Sequence, residues 1–317
     1  MLQQDSIKFA AKLIQEGKLV AFPTETVYGL GANALDPLAV AKIFEAKERP
    51  SFDPLIIHIA DLDDLKKLTA GRDERVYKLA EKFWPGALTI VLPKSKIVPD
   101  IVTSGLDTVG IRMPDNKIAL QLIKASGCPI AAPSANKFGR ISPTTASHVK
   151  KQLPDIDYVI DGGKTNVGVE STIIRLSEKG FQILRNGIIT KEEIETIVPF
   201  DDSLNKDAIV APGMIKSHYS PSKKMMIADK NIPFEIDIDK AGLISFTGQN
   251  EVGYRRVIRV SENNDLKEYA VNMYDAMHTL EDDNEIEIII AEPVPETGIG
   301  IAIMDRLKKA EYNWRKK

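Results

Sequence analysis

The segment Lys47-Glu48-Arg49-Pro50-Ser51-Phe52-Asp53-Pro54-Leu55-Ile56-Ile57-His58 runs from the end of a predicted helix, Pro37 to Ala46, through a proline-pinned loop into a short apolar strand. Lys47 and Arg49 lie two residues apart, so on extended backbone both side chains point the same way. Pro50 and Pro54 fix φ at their own positions and bias the residues before them away from helix. In the strand, Leu55, Ile57 and Ile59 share one face, while Ile56 and His58 share the other. Paired cations beside a histidine suit an anionic, phosphate-bearing ligand. A solvated helix end, where basic residues complement the helix dipole, accounts for the same cations equally well.

Toward the N-terminus, Asp5 to Glu16 has helical apolar spacing and stops at Gly17, and Leu19 to Phe22 reads as a buried strand. That strand runs into Pro23-Thr24-Glu25-Thr26-Val27-Tyr28-Gly29-Leu30-Gly31, read as a loop whose small residues let backbone approach a ligand. If the loop is extended, Thr24, Thr26 and Tyr28 line one side; a plain strand-to-loop turn explains the glycines too. Toward the C-terminus, Asp61 to Ala70 and Asp73 to Phe83 read as aspartate-capped helices. Trp84-Pro85-Gly86 interrupts before a strand from Leu88 to Leu92, and Trp84 reads as core. In Thr108-Val109-Gly110-Ile111-Arg112-Met113-Pro114, Thr108, Gly110 and Arg112 share a face. That face is either a carboxylate-binding ledge or a solvated surface. Cys128 leads a strand-to-loop segment ending Pro133-Ser134-Ala135-Asn136, in which both polar tips can face one site; Cys128 itself reads as a small core residue. Asp161-Gly162-Gly163-Lys164-Thr165-Asn166-Val167-Gly168 lacks the residue order of a phosphate-binding P-loop. Strands follow at Val169 to Ile174 and Phe181 to Leu184.

Beyond Val198 the composition changes. Ala211-Pro212-Gly213-Met214-Ile215-Lys216-Ser217-His218-Tyr219-Ser220-Pro221 reads as a linker, and Pro212 with Gly213 suits a restricted hinge. Strands at Ala241 to Phe246, Arg256 to Val260 and Ile286 to Ala291 alternate with helices at Asp265 to Leu280 and Ile299 to Ala310. This pattern predicts a small second α/β domain. With 317 residues, 43% hydrophobic and 27% charged, the chain suits a globular protein of one large or two smaller domains. A net charge of −3 and a pI near 5.9 argue against a surface that coats nucleic acid. One cysteine excludes an internal disulfide framework. With no signal-peptide pattern at the start and no apolar run of membrane-spanning length, the expected location is cytoplasmic, with no membrane partner.

Taken in order, Pro23-Thr24-Glu25-Thr26-Val27-Tyr28-Gly29, Lys47-x-Arg49-Pro50, Pro54-Leu55-x-x-His58, Phe83-Trp84-Pro85-Gly86, Arg112-x-Pro114 and Pro133-Ser134-Ala135-Asn136 closely resemble the YrdC/Sua5 family of threonylcarbamoyl-AMP synthases. Pro212-Gly213-Met214, His218-Tyr219-x-Pro221 and Gly298-Ile299-Gly300-x-Ala302-Ile303-Met304-x-Arg306-Leu307 resemble the longer Sua5 type. The resemblance implies a twisted open α/β sheet over 1–200 with a substrate-binding concave face. It also implies a linker over 201–223 crossing the active site and a Rossmann-like α/β domain over 224–317. The implied reaction joins L-threonine, bicarbonate and ATP into L-threonylcarbamoyl-AMP and pyrophosphate. Partner proteins then transfer the group to adenosine 37 of tRNA, so weak or no direct tRNA binding is expected of this chain.

By resemblance, Lys47, Arg49, Ser134 and Asn136 form a catalytic polar tetrad around phosphates and carbamate. Thr108, Ser142, Arg185 and Tyr219 join Lys47, Arg49 and Ser134 in the ATP set. Thr26, His58, Arg112, the Ala132 backbone and Ser171 form the threonine pocket, with Arg112 facing the substrate carboxylate. Mg²⁺ is expected to arrive with ATP, without a dedicated set of protein ligands. The family usually has asparagine where this chain has Asp53, a residue that can meet Mg²⁺ or pair with Lys47 or Arg49. Two other readings compete: an RNA-binding module, disfavoured by the acidic pI and few aromatics, and a nucleotide-sensing regulator without turnover. A carbamoyl transferase of the hydrogenase-maturation type would need a zinc-finger module, which one cysteine cannot supply.

Overall fold

Burying one strand face contributes about 1.5–3 kcal/mol per large apolar side chain, against about 0–1 kcal/mol for an exposed ion pair. Apolar alternation therefore sets strand register and leaves the opposite face free for polar residues. The computed structural model describes residues 3–203, 212, 218–228, 237–249 and 251–315. Nine strands form the first sheet: β1 (Val20–Pro23), β2 (Tyr28–Asn33), β3 (Ile56–His58), β4 (Leu88–Pro93), β5 (Thr108–Arg112), β6 (Ile130–Ala131), β7 (Tyr158–Val159), β8 (Thr172–Leu176) and β9 (Phe181–Arg185). Their order is β7-β1-β2-β6-β3-β5-β4-β8-β9, with parallel and antiparallel pairs mixed. β3 lies parallel to β5 with His58 opposite Arg112, and antiparallel to β6 with Ile57 opposite Ala131.

The alternation read from β3 and β5 decides what each face holds. Leu55, Ile57 and Ile59, with Leu88, Ile90, Leu92, Val109 and Ile111, enter one core with the helices Pro37–Lys47, Leu62–Leu68 and Glu74–Phe83. On the opposite face, the helices Gln3–Gln15 and Lys117–Ser126 cover β1, β2 and β6 through Ile7, Ile14, Ile118 and Leu122. Beyond those helices the same face carries a small apolar cluster, Ile56, Val91, Ile173 and Leu184. His58, Thr89 and Arg112 lie on this half, which is where the candidate site is found.

The second sheet is wholly parallel, β10 (Lys224–Ile227), β11 (Ala241–Ser245), β12 (Arg256–Arg259) and β13 (Ile288–Ala291), in the order β10-β13-β11-β12. Every residue of β13 is buried, as a central parallel strand requires. The helices Leu266–Asp282 and Ile299–Arg315 pack on this sheet through Tyr269, Met273, Tyr274, Ile303 and Leu307. No helix among the described residues is long and apolar enough to cross a membrane.

Local details depart from the sequence expectations. The helix from Pro37 continues through Lys47 and is closed by Glu48 in the left-handed region, φ 54°. Lys47 and Arg49 therefore do not sit on extended backbone; a helix C-cap brings them together. The loop expected around Gly29 and Gly31 is strand β2, whose glycines hid its alternation. A Cβ at Gly31 would lie 2.7 Å from the Phe22 ring, so the glycine is required by close packing against β1. Tyr28 turns away from Thr24 and Thr26 and donates its hydroxyl to the carbonyl of Gly163 at 2.7 Å. The strand expected from Val169 begins at Thr172. Of the expected linker, Ala211, Gly213, Met214 and residues 215–217 lie outside the described residues, and with them the hinge expected at Gly213.

Candidate active site

Lys47 is a fastener of the pocket wall. Its Nζ donates to the main-chain carbonyls of Ser134, at 2.6 Å, and Asn136, while its own carbonyl accepts the Phe138 N–H at 2.9 Å. Complete burial, and then the neighbouring Arg49, push this amine well below the ordinary lysine range. Two of its N–H donors serve the two carbonyls. The loop it holds also lies across β2, through Leu30 N–H to Pro133 O and Ala135 N–H to Tyr28 O, each at 2.8 Å. Ser134 thus stands opposite Gly29. Asn136 turns its amide to the carbonyls of Lys137 and Arg140, at 2.8 and 2.9 Å, and its buried Oδ1 has no hydrogen-bond partner among the described residues.

Arg49 is held by its own loop. Nε donates to Asp53 O at 3.0 Å and Nη2 to Pro54 O at 2.9 Å, and Nη2 lies 2.9 Å from Asp53 Oδ2. Of the two cations open to Asp53 from sequence, Arg49 makes the ion pair. Burial raises the Asp53 carboxyl above its usual range, against the pull of Arg49 and Lys47. Arg112, on β5, donates to Thr26 Oγ1 at 3.1 Å and Gly86 O at 3.2 Å, and its Nη2 is 2.6 Å from Glu25 Oε1. His58 is buried beside it, edge-on to Phe22, with Nδ1 unpartnered among the described residues. Burial, and secondly Arg112, drop this imidazole to about 3, so it is neutral. Arg185, at the end of β9, donates to the Ser171 carbonyl and hydroxyl, both at 3.1 Å, and to Pro212 O at 3.4 Å. Ser171 also shares a hydrogen bond with Thr89 at 2.8 Å.

One pocket is lined by Thr26, Arg49, His58, Arg112, Ala132, Ser134, Ser171, Arg185 and Tyr219 among the residues named from sequence. Lys47 and Asn136 are not in its lining, but Lys47 is bonded to the main chain of Ser134, which is. Thr108 and Ser142 do not line it: Thr108 lies at the far end of β5 from Arg112, and the Ser142 hydroxyl is engaged by Glu170 at 2.6 Å. Thr24, read from sequence as lining one side with Thr26, also lines the pocket, and Glu170, Pro212 and His218 line it without having been assigned from sequence. Glu25, paired to Arg112, was equally unassigned. Glu25 and Glu170 each adjoin an assigned residue, Thr26 and Ser171, and that adjacency was the available signal. Among the described residues, no group of three or more His, Cys, Asp or Glu side chains is placed to hold a metal ion. Asp53 and Glu170 are engaged with Arg49 and Arg306.

A guanidinium-rich pocket on one face of a mixed α/β sheet, beyond the two helices on that face and walled by a loop carrying Ser134 and Asn136, defines a class. Residues 12–187 match the Sua5/YciO/YrdC family model, described as "Telomere recombination", and the chain belongs to that family. Within it the chain has the two-domain form, because residues 189–311 match "Threonylcarbamoyl-AMP synthase, C-terminal domain". Threonylcarbamoyl-AMP synthase of Pyrococcus abyssi is 44% identical, with 98% of this chain and 95% of that protein covered. The Bacillus subtilis protein of the same name is 43% identical over 95% of this chain and 91% of that one. The structure of P. abyssi Sua5 complexed with L-threonine superposes with a TM-score of 0.87 at 44% identity, covering 96% of this chain and 94% of that one.

Proposed function

We propose that this chain is a threonylcarbamoyl-AMP synthase, joining L-threonine, bicarbonate and ATP. The observation that carries the reading is the convergence of Arg49, Arg112 and Arg185 on one pocket, lined also by hydroxyls and a neutral histidine. Three reactants that each carry an anionic group must meet there, and fixed guanidinium groups are suited to hold them without forming a covalent intermediate. The threonine nitrogen attacks bicarbonate and water leaves, giving a carbamate. A carbamate oxygen then attacks the α-phosphorus of ATP, and pyrophosphate departs, an adenylyl transfer of the nucleotidyltransferase type.

In this reading Arg112 and Thr26 take the threonine carboxylate, which shares or replaces Glu25 on the guanidinium. His58, Ala132 and Ser171 shape the amino-acid side of the pocket. Arg49, Arg185, Ser134 and Tyr219 face the nucleotide and its developing charge, and Lys47 holds Ser134 and Asn136 in place. Mg²⁺ enters as part of the nucleotide substrate and neutralises phosphate charge. The product serves transfer proteins acting on tRNA, with no need for this chain to grip tRNA itself.

The test measures pyrophosphate release and calorimetric threonine binding. Release that requires both threonine and bicarbonate, with threonine affinity at least tenfold weaker in Arg112→Ala, is the expected result. Release independent of threonine would overturn the activity; unchanged threonine affinity in the variant would overturn the role of Arg112.

A further inference from the structure

Glu170 is a carboxylate in the lining of a pocket otherwise suited to anions. It is buried, and its oxygens accept from Ser142 Oγ at 2.6 Å, from the Tyr274 hydroxyl at 3.1 and 3.2 Å, and from Arg306 Nε at 3.0 Å. Ser142 belongs to the first domain. Tyr274 and Arg306 come from the helices Leu266–Asp282 and Ile299–Arg315 of the second. Arg306 is completely buried, with Nη1 on Asp305 at 2.9 Å and its guanidinium 5.3 Å from the centre of the Tyr219 ring. Tyr219 lines the same pocket at φ 64°, with a hydroxyl that has no partner among the described residues. One guanidinium from the second domain thus meets a wall of the pocket and an aromatic ring of the linker.

We propose that Arg306 is a positioning residue for the nucleotide site: it cancels the charge of Glu170 and fixes Glu170 and Tyr219 against the pocket. This rests on the reading of the pocket as a site for ATP. An unpaired carboxylate in the lining would repel a triphosphate and leave a buried charge without compensation. The buried pair thereby gives the second domain a part in substrate binding beyond the packing of its helices. Glu170 stays ionised down to about pH 2; burial alone would raise its carboxyl, and Arg306, then Arg185, outweigh burial.

The experiment compares ATP affinity by calorimetry, and KM for ATP against kcat, in the full chain and in Arg306→Met, Arg306→Lys and the double variant Arg306→Met/Glu170→Gln. Lys151→Ala serves as the control, because it removes ion pairs between the same two domains, to Glu281 and Asp282, without touching Glu170. Arg306→Met is expected to weaken ATP binding about tenfold or more, with kcat within about threefold. Arg306→Lys should retain part of the affinity. The double variant should recover most of it, since the unpaired charge is gone; Lys151→Ala should bind ATP as the parent does. Unchanged ATP affinity in Arg306→Met, or a double variant worse than the single, overturns the proposal in favour of simple domain docking. Should Arg306→Met fail to fold, Tyr274→Phe removes one hydrogen bond to Glu170; about threefold weaker ATP binding supports the proposal and unchanged binding overturns it. Failure of the parent protein to bind ATP would instead defeat the functional reading on which the proposal stands.

Discussion

Asp53 shows how one side chain can trade stability against binding. Its carboxylate is fully buried, 2.9 Å from Arg49 Nη2, and lies close enough to Lys47 and Arg185 for both to pull its ionisation down. It anchors Arg49 and at the same time reduces the positive charge offered to phosphates. Asp53→Asn keeps an acceptor oxygen and removes the charge. The expected outcome is an ATP KM lower by roughly threefold to tenfold, about 0.7–1.4 kcal/mol, with a lower melting temperature from the weakened buried pair. Steady-state kinetics and a thermal melt check both signs. A large fall in kcat with KM unchanged would instead assign Asp53 a direct role at the substrate. The residues most legible in the sequence were the cations and hydroxyls of this pocket, because chemistry-bearing residue types stand out from apolar strands. Their geometry was less legible. Nothing in Lys47-Glu48-Arg49 announces that Glu48 turns left-handed, and the extended reading of that step was wrong for that reason.

At the scale of elements, period-two alternation made β3 and β5 readable, whereas the glycines of β2 concealed a strand. The contacts between domains could not be read at all. Glu170 meets Arg306 across 136 positions of sequence, and a glutamate beside a serine gives no sign of a partner so distant. The segment preceding Glu170 makes the same point. Val167 and Gly168 donate to the carbonyls of Glu25 and Thr26, at 2.9 and 3.1 Å, while Gly168 presses on the helix Leu266–Asp282. A Cβ on Gly168 would lie 2.1 Å from the Ala270 carbonyl oxygen, at a φ of 77°. Gly168→Ala must therefore displace either that helix or the Thr24–Thr26 wall of the pocket. Strain at positive φ and overpacking together are expected to cost about 2–4 kcal/mol. Gly163→Ala is the matched control: its φ is 79°, but nothing lies within 4 Å of its Cβ, so it should cost only about 1 kcal/mol. Denaturant unfolding separates the two. Equal destabilisation would mean that contact with the second domain adds nothing at Gly168.

For the whole molecule, the pocket and the domain junction depend on buried groups that must keep one protonation state. His58 in the pocket, His218 on its lining and His278 at the junction all sit near 3, each chiefly because burial disfavours the imidazolium. His278 stacks on His148 with ring centres 3.9 Å apart and lies 3.2 Å from Ser142 O. Their pKa in the unfolded chain is about 6.5, so between pH 6.5 and 3 the unfolded chain binds more protons and stability falls as pH falls. Each histidine contributes up to about 1.4 kcal/mol per pH unit in that window. Glu170, at about 2, adds a second loss of the same sign: its stabilisation is complete above the unfolded value of about 4.5 and disappears as pH drops from there toward 2. Asp53 works in the opposite direction, because its folded pKa is raised. His148 is lowered too, again chiefly by burial, so four histidines against Asp53 leave acid destabilisation dominant from pH 6.5 downward. The melting temperature should hold nearly level from pH 8 to 7 and fall by several degrees per unit below 6. His278→Gln should flatten part of that slope, since glutamine can hold the contact to Ser142 O without titrating. A melting temperature level down to pH 4.5 would show that these imidazoles take up protons in the folded protein as readily as in the unfolded chain.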